Sequence, residues 1–257
     1  MTYKNIFDTH AHYDDERFSE DAKILFSEFP SKGVSYIVNC ATDICSCNKS
    51  QAFAEEFDYV YFAAGIHPHE SESVNNNYLD DLKSFASDKK CVAIGEIGLD
   101  YHYDFSDRSA QLKVFEEQLI LSKELNLPVI IHDREAHADT LNLLKKYRPE
   151  GILHCFSGSV ESAKEILDLG MYIGLGGAVT FKNAKKPVEV AKYVPDDRLL
   201  LETDCPYMTP VPFRGQRNDS TYILYTAQFI ASLRHTDTQT LLDLTAENAK
   251  RIFRISE

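Results

Sequence analysis

The residues of this chain whose types and spacing could do chemistry are histidines and carboxylates that close short apolar runs. The first group is Asp8-Thr9-His10-Ala11-His12. Residues two apart on a strand point to the same face, so the imidazoles of His10 and His12 could share one cation. Taken alone, such a pair reads as well as two surface or core histidines. Glu96 follows in Ile94-Gly95-Glu96-Ile97-Gly98-Leu99-Asp100, at the expected end of a fourth strand, and His132 in Ile130-Ile131-His132-Asp133-Arg134. His154 stands in Leu153-His154-Cys155-Phe156-Ser157-Gly158 and Asp204 in Leu201-Glu202-Thr203-Asp204-Cys205-Pro206. Any one of these could be a satisfied core group or a solvated loop residue, but six of them ending five apolar runs fit that reading poorly. Imidazoles and carboxylates without thiolates make a site for Mg, Mn or Zn. Cys155 and Cys205 neighbour these residues and are expected to alternate to the other face.

Bringing such distant residues together requires a particular scaffold. Apolar, β-branched runs recur at 5–8, 34–40, 60–64, 91–95, 128–132, 151–155, 171–175 and 199–203. Between them lie helix-length amphipathic stretches at 18–29, 48–56, 78–87, 107–126, 136–147, 160–169 and 187–193, then 222–234 and 237–253. Eight alternations predict an α/β fold of the TIM-like (β/α)8 barrel type, with a C-terminal helical extension. Residues 1–257 are expected to form one barrel domain, since such barrels reach this length as one folding unit. The longer polar connections at 67–77, 98–106 and 207–220 each follow a strand, on the face where barrel enzymes build their sites.

The formal charge of −13 argues against broad electrostatic binding along a duplex, which needs many Lys and Arg residues on phosphates. A local pocket with bound cations would still attract a phosphate. Six cysteines without paired zinc-finger spacing read as reduced thiols. No apolar run approaches the roughly 20 residues of a membrane span, and the start Met1-Thr2-Tyr3-Lys4 lacks the order of a signal peptide, so a cytoplasmic location is expected.

The motif set resembles the TatD family of metal-dependent deoxyribonucleases, within the wider amidohydrolase-like barrels. Besides the segments above, the resemblance runs through Gly65-Ile66-His67-Pro68-His69, Gln111 to Phe115, Arg214-Gly215 with Arg217-Asn218, and Asn248 to Phe253, covering nearly the whole chain. It implies two divalent ions: His10, His12 and Asp204 holding one, His132 and His154 the second, and Glu96 bridging them. It further implies hydrolysis of phosphodiester bonds in DNA, at ends or in short single strands, with Asp204 taking the proton of a water activated by the two metals. Arg134 would read a phosphate with its planar fork. Its alternative role is an ion pair with Asp133 or Glu135. The resemblance places His67 and His69 at the mouth of the site, with His67 as a substrate contact and His69 open between that role and a structural one.

Two rival readings stand beside this one: hydrolysis of an amide, lactone or aminoacyl ester on the same centre, and a non-catalytic metal-binding protein. No obligate protein partner is expected. The chain departs from the family at Asn218-Asp219-Ser220, where a proline is usual after the acidic or amide residue. Its loss is expected to loosen the segment before the eighth helix. His137, Arg234 and His235 read as helix-surface residues.

Overall fold

The structure, a computed structural model, describes residues 3–256, so Met1 and Thr2 of the polar start lie outside it. Eight strands form one parallel sheet in sequence order: β1 (Ile6–Ala11), β2 (Val34–Cys40), β3 (Val60–Ala64), β4 (Cys91–Asp100), β5 (Val129–Arg134), β6 (Gly151–Leu153), β7 (Tyr172–Leu175) and β8 (Leu199–Leu201). Barrel strands are covered on both faces, which is why they read as unbroken apolar runs rather than alternating ones. All ten residues of β4 are buried.

Helices follow the strands: α1 (Ala22–Glu28), α2 (Ile44–Glu56), α3 (Tyr78–Ala86), α4 (Arg108–Leu125), α5 (His137–Tyr147), α6 (Val160–Asp168), α7 (Lys185–Tyr193) and α8 (Ile223–Arg234). Short polar side chains accept from free first-turn amides at their starts, as Asp43 does for α2, Asp107 for α4 and Ser159 for α6. The extension, α9 (Thr238–Phe253), packs Ala246, Ala249, Ile252 and Phe253 into a cluster with Phe7, Val92, Ile130, Ile152 and Leu200. Each of those five is the second residue of its strand, so α9 plugs the N-terminal end and leaves the C-terminal end open. Among the described residues no helix is long and apolar enough to cross a membrane.

Two local features aim the central side chains. Ile94 pairs with Val129 and Ile97 with Ile131, so β4 carries one residue more than β5 across that interval, and Glu96 lies within it. β1 does the same against β2 between Asp8 and Ala11, where His10 lies. Such bulges re-aim a side chain beside a site. Glu96 therefore lies inside β4, which runs four residues beyond it to Asp100, and not at the strand's end as the sequence suggested.

The seam between β8 and β1 is sparse, with one parallel bridge between Ala11 and Cys205. Asp204 N donates to His10 O and His12 N to Cys205 O, both at 2.9 Å. Thr203 N donates to Asp8 Oδ1 at 3.0 Å, and Thr203 Oγ1 to Asp8 Oδ2 at 2.6 Å. The 218–220 segment is tied down here and not loosened. Ser220 is buried, its hydroxyl donates to Asp8 Oδ2 at 2.7 Å, and its amide donates to Tyr13 Oη at 2.9 Å. A proline at that position could make neither bond. Arg234 is also no surface residue: it donates to Ala191 O and Val194 O, each at 2.9 Å, joining α8 to the end of α7.

Candidate metal centre

Glu96, 2% exposed, presents its two carboxylate oxygens to two different pairs of histidines. Oε2 lies 3.3 Å from His10 Nε2 and 3.5 Å from His12 Nε2. Oε1 lies 2.8 Å from both His132 Nδ1 and His154 Nε2. Within each pair the ring nitrogens face one another, His10 Nε2 to His12 Nε2 at 3.0 Å and His132 Nδ1 to His154 Nε2 at 3.3 Å. Asp204 Oδ1 stands 3.5 Å from His12 Nε2 and 3.9 Å from His10 Nε2. All six residues singled out in the sequence thus meet in the C-terminal half of the barrel. Donor atoms of His10, His12 and Glu96 lie within 4.8 Å of one another, as do those of His10, His154 and Asp204, and those of His67, Glu96 and His132.

The far side of several rings is fixed from outside. His12 Nδ1 donates to the carbonyl of Cys40 at 2.8 Å, which leaves Nε2 with the lone pair. His132 Nε2 lies 3.2 Å from Asp100 Oδ2, which leaves Nδ1 facing Glu96. Asp100 Oδ2 also takes His69 Nε2 at 3.0 Å, and Oδ1 accepts from the amides of His102 and Tyr103 at 2.9 Å. Gly98 makes this possible: at φ +146 its missing side chain would lie 1.9 Å from His132 O, so only glycine lets β4 lie this close to β5. Behind His154, Glu202 Oε1 accepts from Cys155 N at 2.5 Å and stands 3.7 Å from His154 Nδ1, close enough to act as a charge but not as a hydrogen-bond acceptor.

The field of the cluster calls for positive charge. Burial would raise the Glu96 carboxyl, but His154, His10 and His67 outweigh it and hold it well below the usual carboxylate range. Burial likewise opposes ionisation of Asp204, and the contact with His12 and the charges of His154 and His10 reverse it. His12 is pushed up to about 9, since Asp204 and Glu96 overcome the effect of burial.

The residues present fit divalent ions. Two ligands about 2.1 Å from one tetrahedral ion lie about 3.4 Å apart, close to the separations within the two histidine pairs. Nδ1 of His10 and of His154 are buried without a hydrogen-bond partner, so the hydrogen-bonding contacts of those two rings all lie on the Nε2 side, within the centre.

The cluster floors a cleft of about 1070 Å³ whose walls include Arg134, Arg214, Tyr103, Phe105 and Tyr207. Asp133 pairs with His137 at 2.9 Å and Glu135 with His102 at 2.8 Å, so both acids suggested as Arg134's partners are engaged elsewhere. The Arg134 guanidinium instead lies 4.5 Å from the centre of the Tyr103 ring. His67 sits deeper than the mouth: its Nε2 is 3.6 Å from Glu96 Oε1. Cys155, expected on the other face, lines the cleft, because the backbone turns there at φ 44. Cys205 is buried.

No orienting role was read from the sequence for Asp100, Glu202 or Asp8; Asp100 engages the His132 ring, Glu202 the Cys155 amide, and Asp8 the amides of His10 and Thr203. The available signal was a carboxylate placed two or four residues from a proposed ligand.

The family model for TatD related DNases matches residues 7–254. The chain is 44% identical over 254 residues to the uncharacterized metal-dependent hydrolase YabD of Bacillus subtilis (strain 168), covering 98% of this chain and 100% of that protein. It is 33% identical to the 3'-5' ssDNA/RNA exonuclease TatD of Cronobacter sakazakii, over 96% of this chain and 97% of that one. Among solved structures, the TatD homolog YJJV of Escherichia coli K12 superposes with a TM-score of 0.91 at 32% identity, over 98% of this chain and 99% of that one.

Proposed function

The chain belongs to the TatD related DNase family of metal-dependent hydrolases, and we propose that it cleaves phosphodiester bonds of DNA at strand ends or in short single strands, on two divalent ions. The observation that carries this reading is the divided Glu96 carboxylate, one oxygen toward His10 and His12 and the other toward His132 and His154. In this reading His10, His12 and Asp204 hold one ion, His132 and His154 the other, and Glu96 both. When bound, Mg, Mn or Zn supplies Lewis acidity to the phosphoryl oxygen and makes water a nucleophile near neutral pH.

The protein's own groups do the rest. Asp204 orients the attacking water and takes its proton. Cys40 O and Asp100 keep His12 and His132 in the required tautomers. Arg134, free of carboxylate partners, offers its fork to a phosphate oxygen and offsets the charge that grows as water attacks. That free guanidinium on the cleft wall favours a phosphodiester over an amide or carboxyl ester. His67 contacts the substrate from beside Glu96. A relative named as a 3'-5' exonuclease of single strands supports ends as the point of attack.

We take residues 1–257 as one barrel domain with no obligate partner. All six cysteines are free, which supports a cytoplasmic setting. The test is turnover of phosphodiester, carboxyl-ester and amide panels after chelation and metal add-back. Chelated protein should be inactive, with Mg or Mn restoring phosphodiester cleavage. Full activity in excess chelator would sink the metal mechanism, and turnover confined to esters or amides would sink the substrate class.

A further inference from the structure

Beyond the metal centre, the loop after β4 builds a layered aromatic stack on the cleft wall. The rings of Tyr103 and Phe105 lie parallel, 5.2 Å apart with 14° between planes. The Arg134 guanidinium lies against Tyr103, and His69 meets both rings edge-on, at 5.6 and 4.8 Å. Tyr103 is 48% exposed and Phe105 66%. A lone exposed aromatic is ordinary. This one ends an ordered stack, and the stack is locked to the centre. Asp100 accepts from the Tyr103 amide with Oδ1 while Oδ2 takes both His132 and His69.

Charge points to what the stack does. Among the described residues, Arg134 and Arg214 are the only lysine or arginine residues lining the cleft, where Asp14, Asp15 and Glu70 also stand. A chain of net charge −13 with two cations at its cleft gains little from neutralising phosphates along a strand. Stacking of a base on an aromatic face needs no charge and tolerates any sequence, but the base must first leave its neighbour.

We propose that Phe105, backed by Tyr103, is a stacking platform for an unpaired nucleobase of the strand whose phosphodiester lies at the Glu96 centre. The platform rests on the phosphodiesterase reading and supplies its recognition step: it selects single strands and frayed ends over duplex interior, because only there is a base face free.

The test uses the Mn-loaded protein and single-stranded oligonucleotides with phosphorothioate linkages, either intact or abasic at the terminal or penultimate nucleotide of each end in turn. Dissociation constants are read by fluorescence anisotropy, and turnover is read on unmodified strands with the same preparations. For the wild type, one abasic position should weaken binding about 10-fold. Phe105→Ala should weaken the intact strand by a similar factor and abolish the abasic penalty, while Phe105→Tyr, which keeps the ring, should bind as wild type does. Equal weakening of intact and abasic strands by Phe105→Ala, or no abasic penalty in the wild type, overturns the platform. Base-dependent and Phe105-dependent binding without hydrolysis of any strand keeps the platform and refutes the phosphodiesterase reading.

Discussion

Asp100 Oδ2 lies 3.2 Å from His132 Nε2, the nitrogen on the side of the ring away from Glu96. Asp100→Asn should therefore lower affinity for the ion at His132 and His154 by about 10- to 100-fold. Maximal turnover should largely return at high metal concentration. Titrating activity against Mn distinguishes this from a residue in the chemical step, whose loss no excess of metal repairs.

Asp204→Asn should lower turnover by at least about 100-fold, the lower range for loss of a positioned base, while leaving a folded barrel with at least one ion. Glu96→Ala should differ, because two cations then lack the anion between them and the bound-metal stoichiometry itself falls. Both quantities are measured on the same two preparations. Near-normal turnover in Asp204→Asn would remove it as the proton acceptor; two ions retained in Glu96→Ala would remove the bridge.

Arg134→Ala should raise the Michaelis constant for strand ends and lower turnover, together by about 10- to 100-fold, the range for one charged hydrogen bond. Metal content should stay at the wild-type level. Lys113→Ala, on the solvent face of α4, is the control. Unchanged kinetics on every phosphodiester would favour the ester or amide hydrolase.

Ser220→Pro, which restores the residue usual in the family, should destabilise the protein by about 1–3 kcal/mol. It leaves Tyr13 Oη and Asp8 Oδ2 each short of a donor in the interior. Urea unfolding measures this directly. A stability gain would mean that the proline's rigidity outweighs both bonds.

Among the described residues the eight strands and nine α-helices were legible in the sequence as apolar runs alternating with amphipathic stretches, and the six central residues because each lies within such a run or at most four residues past its end. What escaped was carried by backbone irregularity. An extra residue in β4 places Glu96 mid-strand, and a left-handed turn at Cys155 brings that thiol into the cleft; neither leaves a trace in side-chain periodicity. Asp100 and Glu202 escaped because their roles depend on which ring edge they reach, and spacing does not encode that.

The sparse seam has a mechanical consequence. His10 and His12 lie on one margin of the rolled sheet and Asp204 on the other, so an ion gripped by all three is a clasp across the hoop. In the proposed two-ion reading, loading that ion would strengthen closure by mass action, and stripping it would leave the hoop held by the bonds of Thr203 to Asp8, Asp204 N to His10 O and His12 N to Cys205 O. Amide hydrogen exchange at His12 and Asp204 should then quicken on chelation, while amides on the opposite wall, between β4 and β5, keep their pace. The enzyme would thus sense its own ion supply as a change in circumference at one point of the ring.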